Sequence, residues 1–104
     1  MAGRKDKPYL PHGVLNHATG QVTLNSSTAT LVVPAREGRS RALLRNLSAS
    51  ITVYVGDSSV TSSTGWPLLS AAGGGESFAA FDESAIYAIA ASGAPVVTYW
   101  EEYE

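Results

Sequence analysis

The chain has no cysteine, and that single absence removes disulfides, thiolate metal sites and thiol nucleophiles together. At 104 residues there is room for one core, and a body of this size buries only about two-thirds of the surface its unfolded chain exposes. With no covalent reinforcement, extra stability is expected from a metal or from assembly with other subunits. No stretch approaches the roughly 20 apolar residues that a membrane-spanning helix needs. The first 20 positions carry charges where a signal peptide would hold its apolar run. A soluble, cytosolically made protein with no membrane partner is therefore expected, and the triplets Asn25-Ser26-Ser27 and Asn46-Leu47-Ser48 carry no weight as glycosylation sites.

Basic residues are missing from the whole second half. Arg4, Lys5, Lys7, Arg36, Arg39, Arg41 and Arg45 all fall within the first 45 positions, against the two acids Asp6 and Glu37, for a charge of +5. Seven acids and no base follow, for −7 and a net charge of −2. Opposite potentials of this kind steer encounters between subunits and set their register.

Helical periodicity is missing too, since no window of about 11 residues carries an apolar stripe at i, i+3, i+4 spacing. What is present is a series of short β-type runs between Gly, Ser, Asp and Pro clusters, at 21–24, 29–33, 40–47, 51–56, 76–81, 85–91 and 95–103. The run Ile51-Thr52-Val53-Tyr54-Val55 alternates, placing Ile51, Val53 and Val55 on an inward face. In 85–91 the small residues Ala88 and Ala90 share a face with Ile86, which implies close approach of a second sheet. Ser92-Gly93 before Pro95 predicts a hairpin to the last strand, where Val97, Tyr99, Glu101 and Tyr103 oppose Val96, Thr98, Trp100 and Glu102. Apolar groups on both of its faces predict partners on both sides. The stretch 57–75 is too long for an ordinary loop. Its Trp66-Pro67-Leu68-Leu69 predicts an eighth, edge strand or an exposed interface tryptophan, with Gly73-Gly74-Gly75 as a mobile corner.

Residues 1–20 are unlike the rest, broken by Gly3, Pro8, Pro11, Gly13 and Gly20 without either periodicity. They predict an extended arm, and Tyr9, Leu10, Val14 and Leu15 would be wasted on a solvated tail. The expected organisation is an arm at 1–20 and an all-β antiparallel sandwich, jelly-roll or immunoglobulin-like with seven or eight strands, at 21–104.

Catalytic patterns are thin. Gly56-Asp57-Ser58 matches the motif of GDSL-type esterases, but the only histidines, His12 and His17, lie near the N-terminus, so the serine has no evident base. The two histidines, five apart in an irregular stretch, match neither helical nor strand spacing for a metal. Gly73-Gly74-Gly75 lacks the lysine and hydroxyl of a phosphate loop. Glu101, Glu102 and Glu104 read as a solvated or partner-facing end. Arg39, Arg41 and Arg45 share a predicted strand face, but a net acidic chain lacks the field that drives nucleic-acid binding, so protein contacts are the better use. No cofactor is expected, and no enzyme activity.

From Arg39 onward the ordered succession of segments carries a resemblance. The segments are Arg41-Ala42-Leu43-Leu44-Arg45-Asn46-Leu47, Val53-Tyr54-Val55-Gly56, Val60-Thr61, Thr64-Gly65-Trp66-Pro67-Leu68 and Ala85-Ile86-Tyr87-Ala88-Ile89-Ala90-Ala91-Ser92-Gly93. Over residues 29–103 the chain resembles the capsid decoration, cement or head-fibre-base proteins of tailed bacteriophages. The resemblance implies a β-sandwich that binds the major capsid protein on the outer surface of the virion, as a homo-oligomer with a trimer favoured over a dimer. Expected partner contacts are Arg4, Lys5, Lys7, Tyr9, Leu10, Val14 and Leu15 in the arm, and Arg36, Arg39, Arg41, Trp66 and Trp100 in the domain. The alternative is an adhesion or carbohydrate-binding module at a tail or fibre tip, with Tyr54, Trp66 and Trp100 lining a sugar site.

Overall fold

A computed structural model describes residues 16–104, which form eight strands and no helix. These are β1 (Asn16–Thr23), β2 (Thr30–Val33), β3 (Arg39–Asn46), β4 (Val53–Gly56), β5 (Trp66–Leu68), β6 (Ser77–Ala80), β7 (Ile86–Ala90) and β8 (Val96–Tyr103). They make two antiparallel sheets of four, in the orders β1-β8-β3-β6 and β2-β7-β4-β5. First pairs with last, second with seventh, third with sixth and fourth with fifth, as if one long hairpin had been rolled up. The β3–β8 and β4–β7 ladders close the roll. This winding is a jelly roll, so of the two sandwiches foreseen it is the immunoglobulin-like one that falls away.

Period-2 alternation builds the core. Ala42 and Leu44 of β3, Val53 and Val55 of β4, Ile86, Ala88 and Ala90 of β7 and Val97 of β8 are buried between the sheets with Leu24, Val33 and Leu68. Ala42, Ala88 and Ala90 are all but fully buried in this core. Asn46 is fully buried as well: its Nδ2 donates to Ile51 O and Leu68 O, each at 2.9 Å, and its Oδ1 accepts from Ser48 N at 2.9 Å. The triplet Asn46-Leu47-Ser48 is thus a core staple between β3, the β3–β4 turn and β5.

Three local expectations need correction. Residues 16–20 belong to strand β1 and not to an arm. Gly20 is there because a Cβ at that position would lie 2.7 Å from Tyr99 Cε2, and it marks a close contact where a chain break was read. Second, Ser92-Gly93 does not close a hairpin. Gly93 has the positive φ of 61° that was foreseen, but β7 and β8 lie in different sheets and the turn carries the chain across the sandwich. Third, the corner at Gly73-Gly74-Gly75 is pinned, with Gly75 N donating to Asn46 O at 2.7 Å and the Arg45 guanidinium reaching Gly73 O and Gly75 O.

Candidate protein-binding face

The sheet β1-β8-β3-β6 turns one face to the core and the other outward. On the outer face Thr98, Trp100 and Glu102 of β8 stand in line, flanked by Thr19 of β1 and by Arg41, Leu43 and Arg45 of β3. Trp100 lies opposite both Thr19 and Leu43. The indole is held on two sides: its Nε1 donates to Glu102 Oε2 at 3.0 Å, and the His17 ring leans on it with centroids 4.6 Å apart. Arg41 Nη2 donates to the same Glu102 oxygen at 2.9 Å. The indole bond and the Arg41 guanidinium together hold the Glu102 carboxyl below the ordinary glutamate range.

Around the indole runs a shallow groove of about 280 Å³, lined by Thr19, Leu43, Arg45, Ser77, Thr98 and Trp100. Its surface is mostly apolar with Arg45 as its one charged wall, and the Arg41–Glu102 pair lies next along the same face. A tryptophan 37% exposed and fixed in one orientation has little rotamer freedom to lose on binding, which suits an interface anchor.

The five domain residues foreseen as partner contacts do not form one site. Arg41 and Trp100 meet on this face. Arg39 is buried, because a bulge between Arg39 and Arg41 turns its side chain inward while Arg41 and Arg45 stay outside. The shared arginine face is therefore overturned, and Arg39 is spent on contacts inside the domain. Its Nε donates to Asp82 O at 2.9 Å, its Nη1 to Pro34 O at 3.0 Å and its Nη2 to Ser84 O. Glu101 is the second surprise: it is buried beside Arg39 and is not a solvated end. Arg36 closes the cluster, with Nη2 2.8 Å from Glu101 Oε1 and its guanidinium 3.8 Å above the Tyr103 ring. This network ties the loops before β3 and before β7 to β8.

Trp66 is 65% exposed on the edge strand β5, in the other sheet, so the eighth strand and the exposure of the indole are both present. Tyr54 faces outward from that sheet, opposite Ile89. Trp100 and Tyr54 thus lie on opposite faces of the sandwich, and the three-aromatic sugar site is not assembled. Arg4, Lys5, Lys7, Tyr9, Leu10, Val14 and Leu15 lie outside the described residues, as does His12.

The remaining motifs have local uses. Asp57 Oδ1 accepts from Ser59 N at 2.9 Å and Ser59 Oγ at 2.7 Å, which makes Gly56-Asp57-Ser58 the start of an Asx turn. His17 is committed to Trp100. Among the described residues no three His, Asp or Glu side chains gather as metal ligands would.

Residues that the sequence reading passed over, Thr19, Leu43, Ser77 and Thr98, complete the groove. The alternation of β8 already put Thr98, Trp100 and Glu102 together, but the strands flanking them follow from pairing alone.

No family model and no curated protein matches the sequence. Among solved structures, a chain from the Bacillus endospore appendages, a novel family of disulfide-linked pili, is similar, with a TM-score of 0.53 over 86% of each chain. The likeness is one of fold. At 14% identity it supports the two-sheet architecture and carries no side-chain chemistry across.

Proposed function

We propose that the chain is a non-enzymatic structural protein of a tailed-phage virion, which binds the major capsid protein on the outer capsid surface through the Trp100 face. The observation that carries this reading is the fixed indole in a mostly apolar groove with one charged wall, on a sheet face with no cover among the described residues. The succession of segments that resembles capsid decoration proteins supplies the partner. The residues foreseen in the arm, from Arg4 to Leu15, would add affinity by tethering.

The test is reconstitution with purified expanded capsids that lack the protein. Saturable binding at a fixed ratio to the capsid protein is expected, with Trp100→Ala weakening it about 30-fold or more, the loss typical of an interface anchor. Recovery of the protein in tails and never in heads removes this assignment.

A second reading, a subunit of a homopolymeric fibre, draws on the endospore appendage chain, where the same fold serves a pilus. With no cysteine, such a fibre would be held without disulfides. Filaments of the purified protein in electron micrographs, together with no capsid binding, would favour it.

A further inference from the structure

The two sheets end in four edge strands, and three of these are blunted against further pairing. β2 is four residues long and bulged between Leu31 and Val33, β5 is three residues long with Pro67 at its centre, and β6 stops after four residues. β1 is different. It runs for eight residues, Asn-His-Ala-Thr-Gly-Gln-Val-Thr, pairs with β8 without a register shift, and contains no proline, lysine, arginine or acid. Long, regular, uncharged edges are what natural sandwiches avoid unless the edge is used.

The ladder with β8 identifies which backbone groups the open edge presents. Leu24 N donates to Pro95 O at 2.8 Å, one step beyond the Thr23–Val96 pair. Antiparallel pairs alternate between bonded and non-bonded, so the even-numbered residues of β1 bond toward β8. On the far side of β8, Leu47 N donates to Val96 O at 3.1 Å, which is the same alternation read from the other neighbour. The amides and carbonyls of His17, Thr19, Gln21 and Thr23 therefore point to the open edge, where no described strand meets them.

We propose that β1 pairs with β1 of a second copy, antiparallel about a two-fold axis normal to the sheet, so that two β1-β8-β3-β6 sheets join into one of eight strands. Side-chain face and hydrogen-bond direction agree on which residues can be opposed. Such an axis keeps outer faces on one side, and opposed residues share a face, so odd residues must meet odd residues. The same odd residues carry the hydrogen-bonding groups that no described strand meets. The facing side chains would be His17, Thr19, Gln21 and Thr23 from each copy, without like-charge contact between carboxylates or guanidinium groups. A second copy is a better occupant than the chain's own first residues, because Pro8 and Pro11 lack the amide hydrogen a strand partner must donate and Arg4, Lys5 and Lys7 add charge. The pairing would set two Trp100 grooves on one continuous surface. It does not depend on capsid binding.

The test is sedimentation of the full chain as wild type, Gln21→Pro, Gln21→Ala and Thr19→Lys, with amide exchange recorded on each. Proline at 21 removes an amide that faces the open edge and leaves the β8 ladder whole; alanine keeps it. Wild type and Gln21→Ala are expected at twice the mass of Gln21→Pro, with the amides of His17, Thr19, Gln21 and Thr23 protected in the dimer and exposed on dilution. Thr19→Lys, on an exposed outer position, is expected to dissociate the pair without loss of fold. A wild-type monomer throughout the micromolar range overturns the proposal, and so does a Gln21→Pro or Thr19→Lys protein that keeps its fold and remains at the wild-type mass.

Discussion

Arg39 and Glu101 face each other inside the sandwich, Nη1 3.5 Å from Oε2, with side chains 0% and 1% exposed. Their strands pair, but the bulge in β3 decides that the arginine turns inward. Two charges taken out of water are each costly, and what holds them is the company: three carbonyls on Arg39 and the Arg36 guanidinium on Glu101.

Removing Arg39 should therefore cost far more than removing an ordinary surface arginine. Arg39→Ala is expected to lose about 3–5 kcal/mol in urea unfolding, because it leaves three carbonyls without their donor and the buried Glu101 carboxylate with Arg36 alone. Arg39→Lys should recover only part of this, since an ammonium cannot span three carbonyls in one plane. A loss below about 1 kcal/mol would mean water reaches the cluster.

Asn46 is the most sharply testable core position. Asn46→Asp replaces the amide nitrogen that bonds Ile51 O and Leu68 O by an oxygen facing two carbonyls. A loss of about 3 kcal/mol or more is expected in chemical denaturation. Asn46→Asp at wild-type stability would show that the side chain turns over and finds other donors.

Gly20→Ala tests the contact with Tyr99. On strand propensity alone alanine would be the better residue, but its Cβ would meet the Tyr99 ring at 2.7 Å. The thermal midpoint is expected to fall, by an amount equal to about 1–3 kcal/mol. A raised midpoint would show that the ring swings aside freely.

The acid limb of stability should report Glu102. Its carboxyl is held below the ordinary range by Trp100 and Arg41, with His17 adding to the field. The folded value lies below the unfolded one, so the contribution is whole above the unfolded pKa, about 4.3. It fades as pH falls through the lower folded value. Against wild type, Glu102→Gln should flatten the loss of stability below about pH 4, and should alter the Trp100 emission near neutrality. Superimposable acid profiles would mean the carboxylate is free.

Local chemistry in the chain is strong enough to be read directly. The alternation of residues 51–55 puts Val53 and Val55 in the core, the face of Ile86, Ala88 and Ala90 is buried there too, and Trp66-Pro67-Leu68 is the edge strand it suggested. Each of these depends on neighbours one or two residues away, and the period of a strand is a local property.

Partnership across the roll is a different matter. Whether Gly93 turned the chain back within a sheet or across to the other, whether Arg39 faced in or out, and which of Glu101 and Glu102 met water all depended on strands 40 or more residues distant. A one-residue bulge exchanges the two faces of a strand while leaving its composition unchanged. Residue order was therefore enough for a disulfide-free sandwich of seven or eight strands, whereas the Trp100 groove, the buried ion pair and a β1 edge that no described strand covers exist only because non-local hydrogen bonds chose one pairing among many.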